Sequence, residues 1–239
     1  EMEEQLAQRE KELLQSKKLA AIGTLASGVA HELNNPLNNI YTTAQRLTKK
    51  AGDAYPDFIK KGLDDIFGET MRVKRIVGDL LEFARGREPL LREVDLMRLI
   101  KDAFSLTGNS VNIDRIQFSV VSSRDTITMR CDPEQMEQVF INLFANAIDA
   151  MSGEGLLKVQ LTEGSGGMTI VILDTGKGMS KDTVEKVFEP FFTTKDKGTG
   201  LGLSIVFNII QKHNGEITVE SEEGKGTSFI IRLPVAADS

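Results

Sequence analysis

The chain predicts two folded parts of different class. The first is an all-helical hairpin that pairs with a second copy into an antiparallel four-helix bundle; the second is an α/β sandwich. Three observations carry this. Apolar residues recur at three- and four-residue spacing from Ile22 to Leu47 and again from Ile59 to Ala84, the mark of one buried helical face. Gly86 to Pro89 interrupts that pattern, as glycine and proline do. Beyond it, short runs rich in β-branched residues mix with helical stretches. Neighbouring strands there lack a regular β-α-β alternation, which indicates a sandwich.

Taken in order, residues 1–48 read as one long helix. Met2, Leu6, Leu13 and Ala20 give its first part a heptad character broken by Arg9 and Ser16, so residues 1–18 suit a marginal parallel coiled coil. The hairpin is expected over residues 19–86. In its first helix the apolar positions are Ile22, Leu25, Val29, Leu33, Ile40, Ala44 and Leu47. Lys49 to Pro56, with Gly52 and Asp53, reads as a turn, and the second helix follows. Two long helices with one apolar face each cannot bury themselves as a pair, and a homodimeric bundle solves this economically.

Residues 87–91 form the expected linker, and residues 92–239 the second domain. At about 150 residues, that domain is long enough to bury roughly 70% of its chain surface. Asp95 is placed as the N-cap of a helix through Phe104, and strands are expected at Ile116 to Val121 and Thr126 to Met129. Asp132-Pro133 is an N-cap followed by proline at the first helical position, opening a helix to Met151. Further strands are read at Leu156 to Leu161, Met168 to Leu173, Glu216 to Glu220 and Thr227 to Leu233, with a helix near Leu203 to Lys212.

Composition narrows the function classes. Net charge is −6 with no long basic run, which argues against nucleic acid and anionic membrane surfaces as partners. The lone Cys131 excludes an internal disulfide framework and fits a reducing, cytoplasmic setting, where a small buried hydrophobe is the better reading. No apolar stretch approaches the roughly 20 residues that span a bilayer. The sequence opens on Glu1 and not on Met, as expected of a piece of a longer protein with an upstream sensor or membrane segment.

Two histidines occur in 239 residues. His31 stands about 200° round its helix from Val29 and about 160° from Leu33, so it points at solvent. A solvated surface histidine is the plain alternative, but the neighbours need explaining too. Glu32 is adjacent and Asn35 shares the outward face one turn on. Pro36 removes the donor to the Glu32 carbonyl, at a cost of about 3 kcal/mol, and kinks a helix that continues through Ile40, Ala44 and Leu47. The other arrangement ends the helix near Asn35.

Four segments of the second domain carry polar chemistry. Gln138, Asn142 and Asn146 stand four apart on one helix, opposite Met136, Val139, Leu143 and Ala147. Asparagine is a poor helix former, and neutral amide oxygens suit a hard cation such as Mg²⁺. Asp174-Thr175-Gly176-Lys177-Gly178-Met179 follows an apolar strand. It is either a simple strand-end turn or an acceptor for an exocyclic amine with glycines for close approach. Phe188-Glu189-Pro190-Phe191-Phe192-Thr193-Thr194-Lys195 runs from aromatics into a polar loop. Gly198-Thr199-Gly200-Leu201-Gly202-Leu203 then opens a helix whose N-terminus can face phosphate. It follows a loop and not a strand, unlike a dinucleotide fingerprint, and no Walker-type loop is present.

Residues 28–37 resemble the phosphoacceptor H-box of sensor histidine kinases. Gln138 to Met151, Asp174 to Met179, Phe188 to Phe192 and Gly198 to Leu203 resemble that family's N, G1, F and G2 boxes, in the expected order. The resemblance runs from Leu19 to Pro234. It implies a dimerisation and histidine phosphotransfer bundle followed by a gyrase-like ATP-binding domain, a mixed sheet with helices on one face. His31 would be the phosphoacceptor, Glu32 its acid/base partner, and Asn35 the polar residue of the reverse, phosphatase reaction. Asn146 would ligate Mg²⁺, Asn142 would lie near the phosphates, and Asp174 would bind the adenine amine. Gly176 and Gly178 would shape that pocket, and Gly198, Gly200 and Gly202 would be lid hinges. Gln138, Phe191, Thr194, Lys195 and Leu201 would complete the ATP site. Asp149 stands where many members carry a phosphate-binding lysine, which leaves Lys195 and Lys197 as candidate cations. The implied activity is ATP-dependent phosphorylation of His31, transfer to an aspartate of a response regulator receiver domain, and phosphatase activity. The alternative from another class is an ATP-operated clamp or inactive scaffold.

Overall fold

The computed structural model describes residues 33, 37–47, 49, 57–85, 87–108, 113–124, 126–164, 166–195 and 198–234. The coiled coil of residues 1–18, the Pro36 bend, His31, Glu32, Asn35, Gly86, Lys197 and most of the Lys49 to Pro56 turn lie outside them. The chain divides into two units, residues 1–87 and 88–239.

In the first unit, helix α1 (residues 37–47) meets helix α2 (Asp57–Arg85). Leu37 packs with Val77 and Val73, the Tyr41 ring lies 5.0 Å from that of Phe67, and Lys74 sits over the Tyr41 ring. Ascending residues of α1 thus meet descending residues of α2, so the helices are antiparallel. The expected stripe splits into two sets. Leu37 and Ala44 are 8% and 3% exposed, whereas Leu33, Ile40 and Leu47 are 41–47% exposed. In the single hairpin Leu33, Ile40 and Leu47 are thus left uncovered. One α2 helix can cover only one side of a stripe, and it takes the Leu37/Ala44 side.

The second unit opens on β1 (Arg92–Asp95) and α3 (Leu96–Gly108). It continues through β2 (Arg115–Ser122), β3 (Thr128–Cys131) and α4 (Pro133–Ala150). Then come β4 (Glu154–Gly164), β5 (Gly167–Asp174), α5 (Lys181–Lys186), α6 (Gly202–Lys212), β6 (Glu216–Glu222) and β7 (Gly226–Leu233). Five strands form a mixed sheet in the order β2-β4-β5-β7-β6. β2 runs parallel to β4, and the other pairs are antiparallel. Alternation along β5 puts Met168, Ile170, Ile172 and Asp174 on the covered face. Helix α4 packs on that face between α3 and α6. Phe140 and Phe144 of α4 are fully buried, each contributing about 1.5–3 kcal/mol by burial.

Among the differences from the sequence reading, three concern the first half of this unit. The strand expected at Thr126 starts at Thr128, because the Ile127 carbonyl accepts the Leu96 N–H at the start of α3 (2.9 Å). Helix α3 continues past Phe104 to Gly108: Ala103 and Thr107 extend its buried face, and the Thr107 hydroxyl donates to the Ala103 carbonyl. Strand β1, unforeseen in the sequence, pairs with β3 in a separate two-stranded sheet.

Candidate nucleotide site

Helix α4 carries the polar ladder because its opposite face is committed to the core. Asp132 caps it by accepting the N–H groups of Glu134 and Gln135 (3.0 and 3.1 Å), with Pro133 in the first turn. Gln138 Nε2 donates to Asn142 Oδ1 (3.0 Å), and Asn142 Nδ2 donates to the Gly202 carbonyl (3.2 Å). The first two amides thus tie α4 to the start of α6. Asn146 is engaged differently. Its Oδ1 accepts Lys195 Nζ (2.9 Å), and the same ammonium meets Asp149 Oδ2 at 2.7 Å. Of the two candidate cations, Lys195 reaches the ladder; Lys197 lies outside the described residues. No local signal in the sequence pairs Asp149 with Lys195, 46 residues away.

Asp174 ends β5 and is 4% exposed. Burial pushes its carboxyl above the ordinary carboxylate range, opposed by the N–H groups of Gly176 and Thr227; the Gly176 bond is 2.8 Å. The following loop is pinned at both ends, by Lys177 N–H on the Ala150 carbonyl and Gly224 N–H on the Lys177 carbonyl. Gly178 has φ +67°, and a Cβ there would lie 2.0 Å from the Glu222 carbonyl oxygen. Only glycine fits. Gly176 likewise sits against Ala150.

The segment between α5 and α6 folds back on itself. Phe191, at φ +66° and 54% exposed, donates its N–H to the Gly200 carbonyl (2.9 Å). Gly200 (φ +68°) has no room for a Cβ against the Phe191 backbone. Thr193 Oγ1 accepts the Lys195 N–H and crowds Gly198, while Thr194 is exposed. Leu201 is buried and occupies the N-cap of α6 without a side-chain hydrogen bond, leaving first-turn N–H groups for an anion. Gly202 differs from its neighbours: the nearest atom to an added Cβ is Asn142 Cγ at 3.9 Å, so steric space does not demand glycine there.

The structure thus brings Gly202 to Asn142, Lys195 to Asn146 and Gly176 to Ala150 of α4, sets Gly178 against Glu222 and Gly198 against Thr193, and leaves Phe191 and Thr194 at the surface. The second histidine, His213, stands at the end of α6. It is 8% exposed, with Nε2 accepting the Asp132 N–H (3.1 Å) and Nδ1 bonded to the Ile209 carbonyl. Cys131 is buried, with burial and the neighbouring Asp132 pushing its thiol up to about 12, so it is inert.

As to metal, no cluster of three or more His, Cys, Asp or Glu side chains able to hold an ion occurs among the described residues. A hard cation with one protein amide ligand fits better than an all-protein cage. Asn146 Oδ1 already serves a cation, the Lys195 ammonium. No described helix is long and apolar enough to cross a membrane.

Comparison with known proteins extends this geometry to the acceptor. The family described as "His Kinase A (phospho-acceptor) domain" matches residues 21–89, and "Histidine kinase-, DNA gyrase B-, and HSP90-like ATPase" matches residues 131–237. Sensor histidine kinase ZraS of Escherichia coli (strain K12) is 38% identical over 94% of this chain and 48% of its own length. The chain therefore spans about half the length of such curated relatives. The catalytic domain of histidine kinase ThkA superposes with a TM-score of 0.55, 33% identity, and coverage of 60% of this chain and 95% of that one. ThkA in complex with response regulator protein TrrA gives a TM-score of 0.66 at 30% identity, covering 96% and 66%. Full-length ShkA in complex with AMPPNP gives 0.76 at 25%, covering 90% and 46%. Both parts of the sequence and the helix-backed mixed sheet agree: the chain belongs to the sensor histidine kinases of two-component systems.

Proposed function

We propose that the chain phosphorylates itself on His31 from ATP, passes the phosphoryl group to an aspartate of a response regulator receiver domain, and also removes it. The carrying observation is the row of α4 amides with the lid lysine drawn onto Asn146 and Asp149, in a chain whose other unit matches the phospho-acceptor family. The AMPPNP in ShkA and the response regulator bound to ThkA, at 25% and 30% identity, support both substrates.

In this reading Asp174 accepts the adenine amine, and Gly176 and Gly178 let backbone line the base. Asn142 and the α6 N-terminus face the phosphates, with Gly198, Gly200 and Gly202 as hinges. Asn146 holds Mg²⁺, which when bound supplies positive charge across the phosphate oxygens. Lys195 takes the part of the cation that Asp149 displaces from the helix. Asp149 draws that ammonium into the site, and the same lysine swings to the phosphates when nucleotide enters. His31 offers a ring nitrogen to the γ-phosphate. Glu32 holds the other ring N–H and stabilises the imidazolium that forms, so positioning does most of the work. Residues 87–91 flex to bring acceptor and nucleotide together.

We further infer a homodimer through residues 19–86, supported by the exposed Leu33, Ile40 and Leu47. They repeat every seven residues along α1, as a seam awaiting a second hairpin does.

Incubation with ATP labelled in the γ-phosphate should give acid-labile, base-stable phosphate on the protein. Nucleotide binding without such phosphate would favour the clamp or scaffold reading.

A further inference from the structure

Asp132 does more than cap α4. Its Oδ1 accepts the Glu134 and Gln135 N–H groups, while its Oδ2 accepts the N–H of Leu90, 42 residues earlier, at 3.0 Å. Leu90 is the third residue of the second unit, in the expected linker of residues 87–91. Behind the carboxylate, the Asp132 N–H donates to His213 Nε2, 81 residues later, at 3.1 Å. The imidazole caps the end of α6, with Nδ1 on the Ile209 carbonyl at 2.8 Å. Asp132 is 2% exposed and His213 8%, so water does not substitute readily for any of these bonds. Leu90 is 72% exposed, so the stretch is held by its amide and by the pairing of the adjoining β1 with β3, where Arg92 lies opposite Cys131.

Three elements therefore meet at one residue: the stretch before β1 and the start of α4 at its carboxylate, and the end of α6, through His213, at its backbone N–H. A capping residue needs only one oxygen. The second oxygen is the part that capping leaves unexplained.

The geometry points to Asp132 as a positioning residue that couples the linker to the nucleotide site, with His213 holding it in place. This builds on the kinase reading. Nucleotide draws α4 and α6 into one arrangement, the arrangement fixes the Asp132 carboxylate, and the carboxylate fixes Leu90. Coupling of this kind is reciprocal: linker position sets nucleotide affinity to the extent that nucleotide sets the linker.

The test uses Asp132→Asn in the full chain. Asparagine caps helices as well as aspartate, but with its oxygen on the α4 amides it turns an NH₂ group towards the Leu90 N–H. Amide exchange is followed at Leu90, Glu134 and Gln135, with and without a non-hydrolysable ATP analogue. In the unaltered chain the analogue slows Leu90 exchange about tenfold, the worth of one charge-assisted bond. In Asp132→Asn, Leu90 exchanges fast with or without analogue, whereas Glu134 and Gln135 keep their protection. By the same reciprocity analogue affinity falls by up to about tenfold, and phosphorylation slows at least about fivefold.

A Leu90 amide indifferent to analogue in the unaltered chain, or equally responsive in the variant, overturns the coupling. Should the unaltered chain bind no analogue at all, the kinase reading falls. The junction is then judged by Leu90 alone, which must still be freed in Asp132→Asn while the α4 amides stay protected. If Asp132→Asn does not fold, Leu90→Pro removes the same donor without touching the carboxylate. It must reproduce the slowed phosphorylation with Glu134 and Gln135 protected, and normal phosphorylation in it overturns the proposal.

Discussion

The two units solve the burial problem in opposite ways. Residues 88–239 close on themselves: Ile100, Phe140, Phe144, Ile170 and Ile231 are all fully buried, and the sheet's apolar face is covered by three helices. The α1–α2 hairpin buries Leu37, Ala44 and Val77 but leaves Leu33, Ile40, Leu47, Phe58, Ile66 and Met71 exposed by 41–74%. Both have amphipathic helices; they differ in the number of layers. A sheet offers a helix a whole face, while a partner helix offers one groove. In the reading proposed above, the unit that holds the nucleotide is complete alone, and the unit that offers the acceptor is completed by a second copy.

The strongest way to separate them is His31→Gln. Phosphate labelling should vanish while ATP affinity stays within about twofold, since distant sites act independently. Label persisting on the variant would reassign the acceptor. It would not pass to His213, whose ring is buried with both nitrogens engaged.

Next in size is Ile40→Asp. It places two carboxylates in a seam meant for aliphatic side chains, where unpaired charge is costly. Sedimentation at micromolar concentration should show a monomer whose ATP-binding unit melts unchanged. A variant that remains dimeric would move the interface off this face.

Asp174→Asn should weaken ATP binding about 10–100-fold, the worth of one charged hydrogen bond. The fold should scarcely notice. Burial raises the Asp174 carboxyl above its ordinary 3.8, so the folded chain holds this proton more tightly than the unfolded one. Its contribution to stability is therefore full below about 3.8 and is lost as pH rises through the raised value. The variant should lack that decline, and its nucleotide-free melting temperature at neutral pH should equal or exceed that of the unaltered chain. A clear drop would make Asp174 a structural turn residue.

A selective effect is expected at the acceptor. Asn35→Ala should lose dephosphorylation of the regulator yet keep autophosphorylation, because an amide can orient water but cannot act as a base at pH 7. Glu32→Ala should lose autophosphorylation first. Equal loss of both activities in Asn35→Ala would make the residue a support for the Pro36 bend. The smallest effect belongs to Asp149→Ala. Its pair with Lys195 is about half exposed, worth at most about 1 kcal/mol, so the melt should not move. Faster amide exchange at Lys195 and Gly198 is the expected readout.

Local signals explain what the sequence disclosed. Asp132-Pro133 marks the start of α4 because capping and proline act within one turn, and β5 and β7 are legible because alternate side chains meet a core. Strand β1 was hidden: four residues with one half-buried side chain carry no alternation, and its pairing with β3 is non-local. Helix α5 has six residues and no buried side chain, so no apolar period exists to find. At the site, the residue types were legible and their partners were not. Asn142 with Gly202, Asn146 with Lys195, and Asp132 with Leu90 and His213 are separated by 42 to 81 residues. Only the fold makes them neighbours.

The parallel pairing of β2 with β4 has a consequence for how the second unit assembles. Arg115 pairs with Glu154 and Ser122 with Leu161, so β2 finds its one sheet neighbour among the described residues after the whole of β3 and α4 has intervened. Closing a loop of that length costs entropy before any contact returns it. The compensation is aromatic: Phe104 of α3 stacks on Phe118 of β2 at 3.9 Å, and both meet Phe144 of α4 at 6.1 and 5.7 Å. A newly made chain would accordingly hold residues 96–122 in waiting until α4 emerges, then clasp them through these three rings. A piece cut to begin at residue 131, where the ATPase family match starts, would bare Phe144 and one edge of β4, and should be a sticky fragment instead of a domain.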